Sequence, residues 1–298
     1  MKKLVERLFV FFVGLPLIIF IILFLPFQGH LVFNIIVIIS SALGAVEFAR
    51  ILEKKNLVIR GPEAFVLGSL LPLAAAAEIS FGAPQGTVLA ALVLGASWLF
   101  VSRVFSREER LVSYTSRAAA GLSVMIYPGL FTMWIIRMAV LAGRTAGEDA
   151  VSIPAPQSVI ILVFVFTVMI NDSIAWAAGM LLGKNNRGIM PVSPNKSVAG
   201  FVGGIAAAVL AGAAGVLLFP SVFVPRLFPP VPSGLVMGFL MGTAASLGDL
   251  LESAFKRSSG VKDSGAIIPG RGGVLDSIDS VAFAAPVFYI TYRVLFGP

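Results

Sequence analysis

The sequence predicts an all-α, polytopic integral membrane protein with about nine transmembrane helices and its N-terminus in the cytoplasm. Three observations predict it. First, 58% of the 298 residues are hydrophobic and only 12% are charged, with a mean hydropathy of +0.97; a soluble domain carries about 25% charge. Second, the apolar residues gather into nine long runs, and a bilayer core about 30 Å thick needs roughly 20 such residues per helix. Third, Lys and Arg crowd onto alternate connections, as they do on the cytoplasmic loops of membrane proteins.

The runs are, in order, about 8–27, 31–48, 64–79, 86–104, 118–141, 158–182, 198–219, 233–250 and 278–296. The first, Leu8 to Phe27, has no charge at all. It lacks the short apolar core and small-residue cleavage site of a signal peptide, so it is expected to remain as a transmembrane helix. Lys2, Lys3 and Arg7 precede it, and Arg50, Lys54, Lys55 and Arg60 follow the second run. Arg103, Arg107, Arg110 and Arg117 follow the fourth, and Lys184, Arg187 and Lys196 follow the sixth. The intervening links are poorer: Gln28–His30 and 79–85 have no Lys or Arg, 142–157 has Arg144, and 220–232 has Arg226. Nine crossings with the N-terminus inside and the C-terminus outside fit this alternation.

Several chemistries are excluded or disfavoured. With no cysteine, disulfides, thiol catalysis and zinc–thiolate sites are out. His30 is the one histidine, and it reads as a solvated turn residue after the first helix. The net charge of +7 is better explained by cytoplasmic loops facing anionic lipid than by nucleic acid. Residues 1–150 read as an N-terminal set of transmembrane helices with a packing or dimerisation role. Residues 151–298 carry the polar motifs and read as the catalytic region. There the helices are rich in small residues, and Gly234, Gly238 and Gly242 stand four apart on one face, where a neighbour can pack backbone-close.

Two polar clusters interrupt the second half. In the first, Asn171-Asp172-Ser173 lies inside an apolar stretch, where a carboxylate costs a few kcal/mol to insert and is therefore a candidate functional group. Ser193-Pro194-Asn195-Lys196-Ser197 follows, just before a helix start. Its hydroxyls, ammonium and helix N-terminal amides suit a phosphate; a plain N-cap explains the same residues. Gly179-Met-Leu-Leu-Gly183-Lys184-Asn185 has one residue too few between its glycines, and no hydroxyl after lysine, to be a Walker A loop.

The second cluster is denser. Between Asp249 and Asp279 there are five carboxylates (Asp249, Glu252, Asp263, Asp276, Asp279) and four cations (Lys256, Arg257, Lys262, Arg271). If the eighth helix continues beyond the membrane, Asp249, Glu252 and Lys256 share one face. Asp276 and Asp279 are likewise i, i+3 at the start of the ninth. Acidic residues there also complement a helix dipole, but two carboxylates with a third on an adjacent helix make a hard-oxygen site suited to magnesium. Pro269-Gly270-Arg271-Gly272-Gly273 reads as a tight loop whose glycines let a ligand approach the backbone. Carboxylates for a metal, cations for phosphates and a glycine turn make a kit for phosphoryl chemistry.

The pattern Ser253-x-Phe-Lys256-Arg257-x4-Lys262-Asp263-x-Gly265-x3-Pro269-Gly-Arg271-Gly-Gly273-Val-x-Asp276-x-x-Asp279 resembles the signature of the CDP-diacylglycerol synthases, the phosphatidate cytidylyltransferases. Asp172 and Ser193-Pro-Asn-Lys196-Ser197-x2-Gly200 are similar to that family's other polar motifs. The resemblance covers about 171–298. Arg271 stands where the family often has histidine, and Ser277 where it usually has arginine between the last two aspartates.

The resemblance implies a magnesium-dependent reaction of CTP with phosphatidic acid, giving CDP-diacylglycerol and pyrophosphate at the cytoplasmic face of the inner (plasma) membrane. It implies metal binding by Asp249, Asp276 and Asp279, with Asp172 and Asp263 as further candidates and potassium as a second cation. Lys196, Lys256, Arg257, Lys262 and Arg271 would then hold the nucleotide phosphates and lipid headgroup. Ser193, Asn195, Ser197 and the glycines 270, 272 and 273 would position them. Partners are CTP, phosphatidic acid and the bilayer, with a homodimer as the expected assembly and no nucleic acid. Two alternatives stand beside this reading: a CTP-dependent lipid or polyprenol kinase, and a transporter using its intramembrane carboxylates.

Overall fold

The computed structural model describes residues 10–102, 104, 114–141, 154–188 and 190–297. Among them there is no β-strand, only two isolated bridges. The helices are α1 (Leu15–Phe24), α2 (Phe27–Glu53), α3 (Gly61–Ser80), α4 (Thr87–Val101), α5 (Tyr114–Val140), α6 (Pro156–Leu182), α7 (Val198–Leu218), α8 (Pro230–Ser258) and α9 (Leu275–Leu295). Every apolar run therefore contains a helix. Seven of them, α2, α3 and α5 to α9, are long and apolar enough to cross a membrane, whereas α1 and α4 belong to shorter apolar helices. The chain is a multi-pass membrane protein. Lys2, Lys3, Arg7, Arg103, Arg107, Arg110 and Arg144 lie outside the described residues.

The chain forms two compact units. The first comprises 1–18, 27–136 and 255–278; the second comprises 19–26, 137–254 and 279–298. The polar segment 255–278 thus belongs with helices of the first half of the sequence, not with the rest of 151–298.

In the first unit, α2 and α3 are in backbone contact. A Cβ at Gly68 would collide with Ala45 of α2. The buried Ser41 hydroxyl lies 2.7 Å from Gly68 O and 2.9 Å from Pro128 O. Pro128 sits in a π-helical turn, Met125–Leu130, inside α5. Pro128 has no N–H to give to the helical ladder; its own carbonyl accepts from Thr132 Oγ1 at 2.5 Å and lies within reach of the Ser41 hydroxyl.

Two expectations are corrected here. His30 is buried, at 2% exposure, because Gln28, Gly29 and His30 form a left-handed turn that packs against Ile79 at the end of α3. Asn34 Nδ2 ties that turn by donating to Gly29 O at 2.8 Å. Arg117 is no loop cation: it lies within α5, is 7% exposed, and pairs with Glu63 of α3 while donating to Ser102 Oγ at 2.8 Å.

In the second unit, small residues set the helix spacing. A Cβ at Gly212 of α7 would lie 2.5 Å from Gly234 O and 2.7 Å from Gly238 N of α8. Gly242 continues the line against Ala208 and Ile205. The glycines spaced four apart thus face α7, as backbone-close packing requires. Aromatic contacts (Phe164–Phe288, 5.3 Å; Phe223–Tyr292, 5.5 Å) fill the rest of this core.

Candidate active site

A cavity of about 400 Å³ opens in the second unit, walled by Asn171, Asp172, Asn195, Lys196, Ser246 and Asp249, with Ser197 and Arg187 beside them. Three elements build it. The middle of α6 contributes Asn171 and Asp172, the link between α6 and α7 contributes Arg187, Asn195, Lys196 and Ser197, and α8 contributes Ser246 and Asp249. The link is short and stitched. Arg187 and Ser197 form an antiparallel bridge, Gly188 N donates to Pro194 O at 3.0 Å, and Val198 N donates to Asn186 O at 3.1 Å. Ser197 is extended (φ −109°, ψ 153°), and its Oγ accepts from Gly200 N at 3.0 Å, an N-cap for α7. Gly179, Gly183 and Gly200 leave room around that hydroxyl; a Cβ at Gly179 would lie 3.1 Å from it.

With the link fixed, Lys196 Nζ reaches Asp249 Oδ2 at 2.5 Å, both side chains about a third exposed (32% and 39%). Asp172 Oδ1 accepts from Asn171 Nδ2 at 3.0 Å, and Asn171 and Ser246 lie within hydrogen-bonding distance of each other at 3.3–3.4 Å. Asp279, 7% exposed, is near enough to Asp249, Glu252 and Asp172 to feel the charge of each. The packing explains this crowding. A Cβ at Gly248 would lie 2.7 Å from Asp279 O and 3.3 Å from Ser280 Cα, so α8 and α9 touch at the turn beside Asp249.

The first unit carries a polar cluster of a different kind. Asp276, in the first turn of α9, accepts at Oδ2 from Gly273 N (2.7 Å), Ser264 N (3.0 Å) and Ser264 Oγ (2.9 Å). At Oδ1 it pairs with Lys256 Nζ at 2.5 Å. The loop between them turns at Ile268–Arg271, where Arg271 N donates to Ile268 O at 3.2 Å. Pro269 and Gly270 (φ 74°) occupy the central positions that a type II turn assigns to proline and glycine. Arg271 follows at the apex, exposed, as are Arg257, Lys262 and Asp263.

The predicted site residues therefore separate. The second unit gathers Asp172, Asn195, Lys196, Ser197, Asp249 and Asp279; Ser193 is not among the cavity's lining residues. The first unit gathers Lys256, Arg257, Lys262, Asp263, Gly270, Arg271, Gly272, Gly273 and Asp276. Ser277, in the place of the expected arginine, donates to Gly273 O at 3.3 Å. Sequence reasoning named Asn171 only as a neighbour of Asp172, and missed Ser246, Gly248, Ser264 and Glu47. Glu47 was findable: it is a carboxylate at the end of an apolar run, the same signal that marked Asp172.

No group of three or more His, Asp or Glu side chains is arranged to hold a metal ion among the described residues. The donor set still fits magnesium. That ion is commonly bound by one or two carboxylates together with substrate phosphates, rather than by an all-protein cage. Asp172, Asp249 and Asp279 supply hard oxygens whose mutual repulsion a divalent cation would relieve.

The sequence model of the Cytidylyltransferase family matches residues 5–295 of this chain. A Bacillus subtilis protein named phosphatidate cytidylyltransferase is 32% identical over 281 residues, which is 90% of this chain and 91% of that protein. Namesakes from Staphylococcus epidermidis (40% identical over 131 residues) and a Synechocystis strain (36% over 137 residues) align over shorter stretches. Those stretches cover 43% and 45% of this chain, and span about half the length of the relatives, 47% and 43%.

Proposed function

The chain belongs to the cytidylyltransferase family, and from that premise we propose that it transfers the cytidylyl group of CTP to phosphatidic acid. The observation that carries this reading is the polar cavity itself: Lys196, Asp249 and Asp172 line a space of about 400 Å³ between otherwise apolar helices. The Bacillus subtilis relative, aligned over nearly its whole length, supports the same reaction by its name.

The lipid phosphate is already a competent nucleophile near neutral pH. One of its oxygens forms a bond to the α-phosphorus of CTP, the bond from that phosphorus to the bridging oxygen breaks, and pyrophosphate leaves with the electron pair. No strong general base is needed; alignment and charge neutralisation are. Lys196 and Arg187 are cations lining the cavity, and on nucleotide binding Lys196 exchanges Asp249 for a phosphate oxygen. Asn171 and Ser246 hold the Asp172 wall, and Asn195 offers an amide to the nucleotide. Lys262, Arg257 and Arg271 are exposed cations suited to phosphates and the lipid headgroup, whereas Lys256 is committed to Asp276. Asp172, Asp249 and Asp279 would hold magnesium, which when bound supplies two positive charges to neutralise the phosphates and the departing pyrophosphate.

Phosphatidic acid leaves the bilayer at a cost of about 0.8 kcal/mol per buried CH₂, so an enzyme embedded in the membrane meets it where it lies. We place the reaction at the cytoplasmic face of the cell membrane, with the N-terminus inside, because nucleotides are there and the cation-rich connections point that way. The test is pyrophosphate release by detergent-purified protein given CTP and phosphatidic acid, with and without magnesium. Magnesium- and lipid-dependent pyrophosphate, with CMP recovered on the lipid, is expected. Release of CDP with phosphorylation of a lipid acceptor would overturn the reading in favour of a kinase.

A further inference from the structure

Glu47 is fully buried at 0% exposure in α2, far in sequence from both polar clusters. A carboxylate in an apolar helix is costly, by a few kcal/mol, and this one is met by donors from a single place. Its Oε2 accepts from Leu275 N at 2.8 Å and lies 3.2 Å from Ser264 Oγ. Two glycines make the space for it: a Cβ at Gly265 would collide with Glu47 Oε1, and a Cβ at Gly273 would collide with Oε2 and with Ser264 Oγ. The adjacent Phe48 packs edge-on against Phe255 at 4.8 Å, beside Lys256. One turn earlier, a Cβ at Gly44 would lie 3.4 Å from Ile278 and 3.6 Å from Leu275.

Ser264 is the link to the chemistry. Its hydroxyl has one proton and two carboxylates within reach, Glu47 at 3.2 Å and Asp276 at 2.9 Å. Asp276 in turn holds Lys256 and the backbone of Ser264 and Gly273. Glu47, Ser264, Asp276 and Lys256 thus form one chain of contacts, and Glu47 is its buried end. It fixes both stems of the loop, at Ser264 and at Leu275; that loop carries Arg271, and Lys262 and Asp263 immediately precede its first stem.

We propose that Glu47 is a positioning residue for the transfer reaction: its carboxylate clamps the two stems of loop 264–275 and so sets the geometry of the loop's charged side chains and of Asp276. The proposal rests on the cytidylyltransferase reading for its kinetic arm alone. The clamp itself is readable without activity.

The experiment compares the parent with Glu47→Gln and Glu47→Leu, purified in detergent. Gln keeps an acceptor oxygen for Leu275 N–H; Leu keeps the volume and removes every acceptor. Hydrogen–deuterium exchange over the peptide spanning 264–277 should accelerate in Glu47→Leu and stay near the parent in Glu47→Gln. The kcat per folded enzyme should fall about 100-fold in Glu47→Leu, as an ångström-scale misplacement does, with KM for CTP changed far less, and Gln should recover most of it. A residue that only stabilises the fold would lower the yield and leave kcat per folded enzyme alone. Parent-like exchange, or parent-like kcat, in Glu47→Leu overturns the proposal. An inactive parent with a clamp that still responds in exchange overturns the reaction and leaves the clamp standing. If Glu47→Leu does not accumulate, Gly265→Ala forces the collision with Oε1 instead. It should lower kcat, and the shorter side chain of an added Glu47→Asp should restore at least part of it; a second change that only adds its own loss overturns the clamp.

Discussion

The two polar clusters use the same residue types to opposite effect. Against loop 264–275 the carboxylates of Glu47 in α2 and Asp276 in α9 are surrounded by donors: backbone N–H groups of Ser264, Gly273 and Leu275, the Ser264 hydroxyl and the Lys256 ammonium. In the second unit, Asp172 and Asp249 of the cavity wall and the buried Glu252 and Asp279 crowd one another, with the partly exposed Lys196 as the cation on Asp249. A satisfied carboxylate stabilises its surroundings, and removing it strands its partners. A crowded one carries repulsion that a cationic ligand can discharge, which is what a binding site needs and a folded core does not. The comparison teaches where to look for structure and where to look for chemistry among side chains that are identical on paper.

The comparison is broken most sharply by removing a carboxylate from the crowded group of the second unit. Asp249→Asn and Asp279→Asn should each cut pyrophosphate formation by about 100-fold or more, the scale on which loss of a transition-state contact is felt. Asp279→Asn should melt at the parent's temperature or above it in the absence of ligand, since it relieves like-charge repulsion. Substantial turnover by either purified variant would sink the assignment of these residues to the reaction.

Asp276→Ala should do the reverse. It breaks a buried ion pair whose members are 12% and 9% exposed, a change that costs about 3–5 kcal/mol. A lowered melting temperature, together with faster exchange in the loop, checks it; a stability equal to that of Asp279→Asn would erase the distinction between the clusters.

Smaller effects sharpen it further. Gly248→Ala should cost about 1–3 kcal/mol by overpacking, because its methyl meets the α9 backbone at 2.7 Å. Magnesium alone should raise the melting temperature of the parent, by RT ln(1 + [L]/Kd). That shift should shrink in Asp249→Asn and survive in Gly265→Ala, which alters the loop and its Glu47 contact but no cavity residue. Smallest of all, Ser197→Ala removes the N-cap of α7 and should cost about 1 kcal/mol, visible in thermal denaturation.

Much of the fold was legible in sequence. Each apolar run became a helix, and α8 does extend to Ser258 so that Asp249, Glu252 and Lys256 ride on one helix. The Pro269–Gly273 turn has the positive φ at Gly270 and Gly272 that its composition foretold. The role of Gly234, Gly238 and Gly242 was legible because a spacing of four is a helix face. The site was legible as an inventory but not as an arrangement. Sequence reasoning grouped Asp276 with Asp249 and Asp279 because i, i+3 neighbours share a face; it had no means of seeing that Ser264 and Lys256 engage Asp276. His30 and Arg117 were misread for the same reason. A turn and a cation look solvated until Ile79 and Glu63 are brought to them.

What the sequence determined by itself is the class: an all-helical chain that crosses the membrane several times and carries the cytidylyltransferase motifs. Hydropathy and helical spacing are sums over about 20 neighbouring residues, and motifs are shorter still, so nothing distant is needed to read them. What only the tertiary structure decided is which charges are held and which are left for a ligand. Glu47 meets Ser264 across 217 residues and Leu275 across 228, and at such separations a carboxylate's partner is set by how helices pack, not by what stands next to it in the chain.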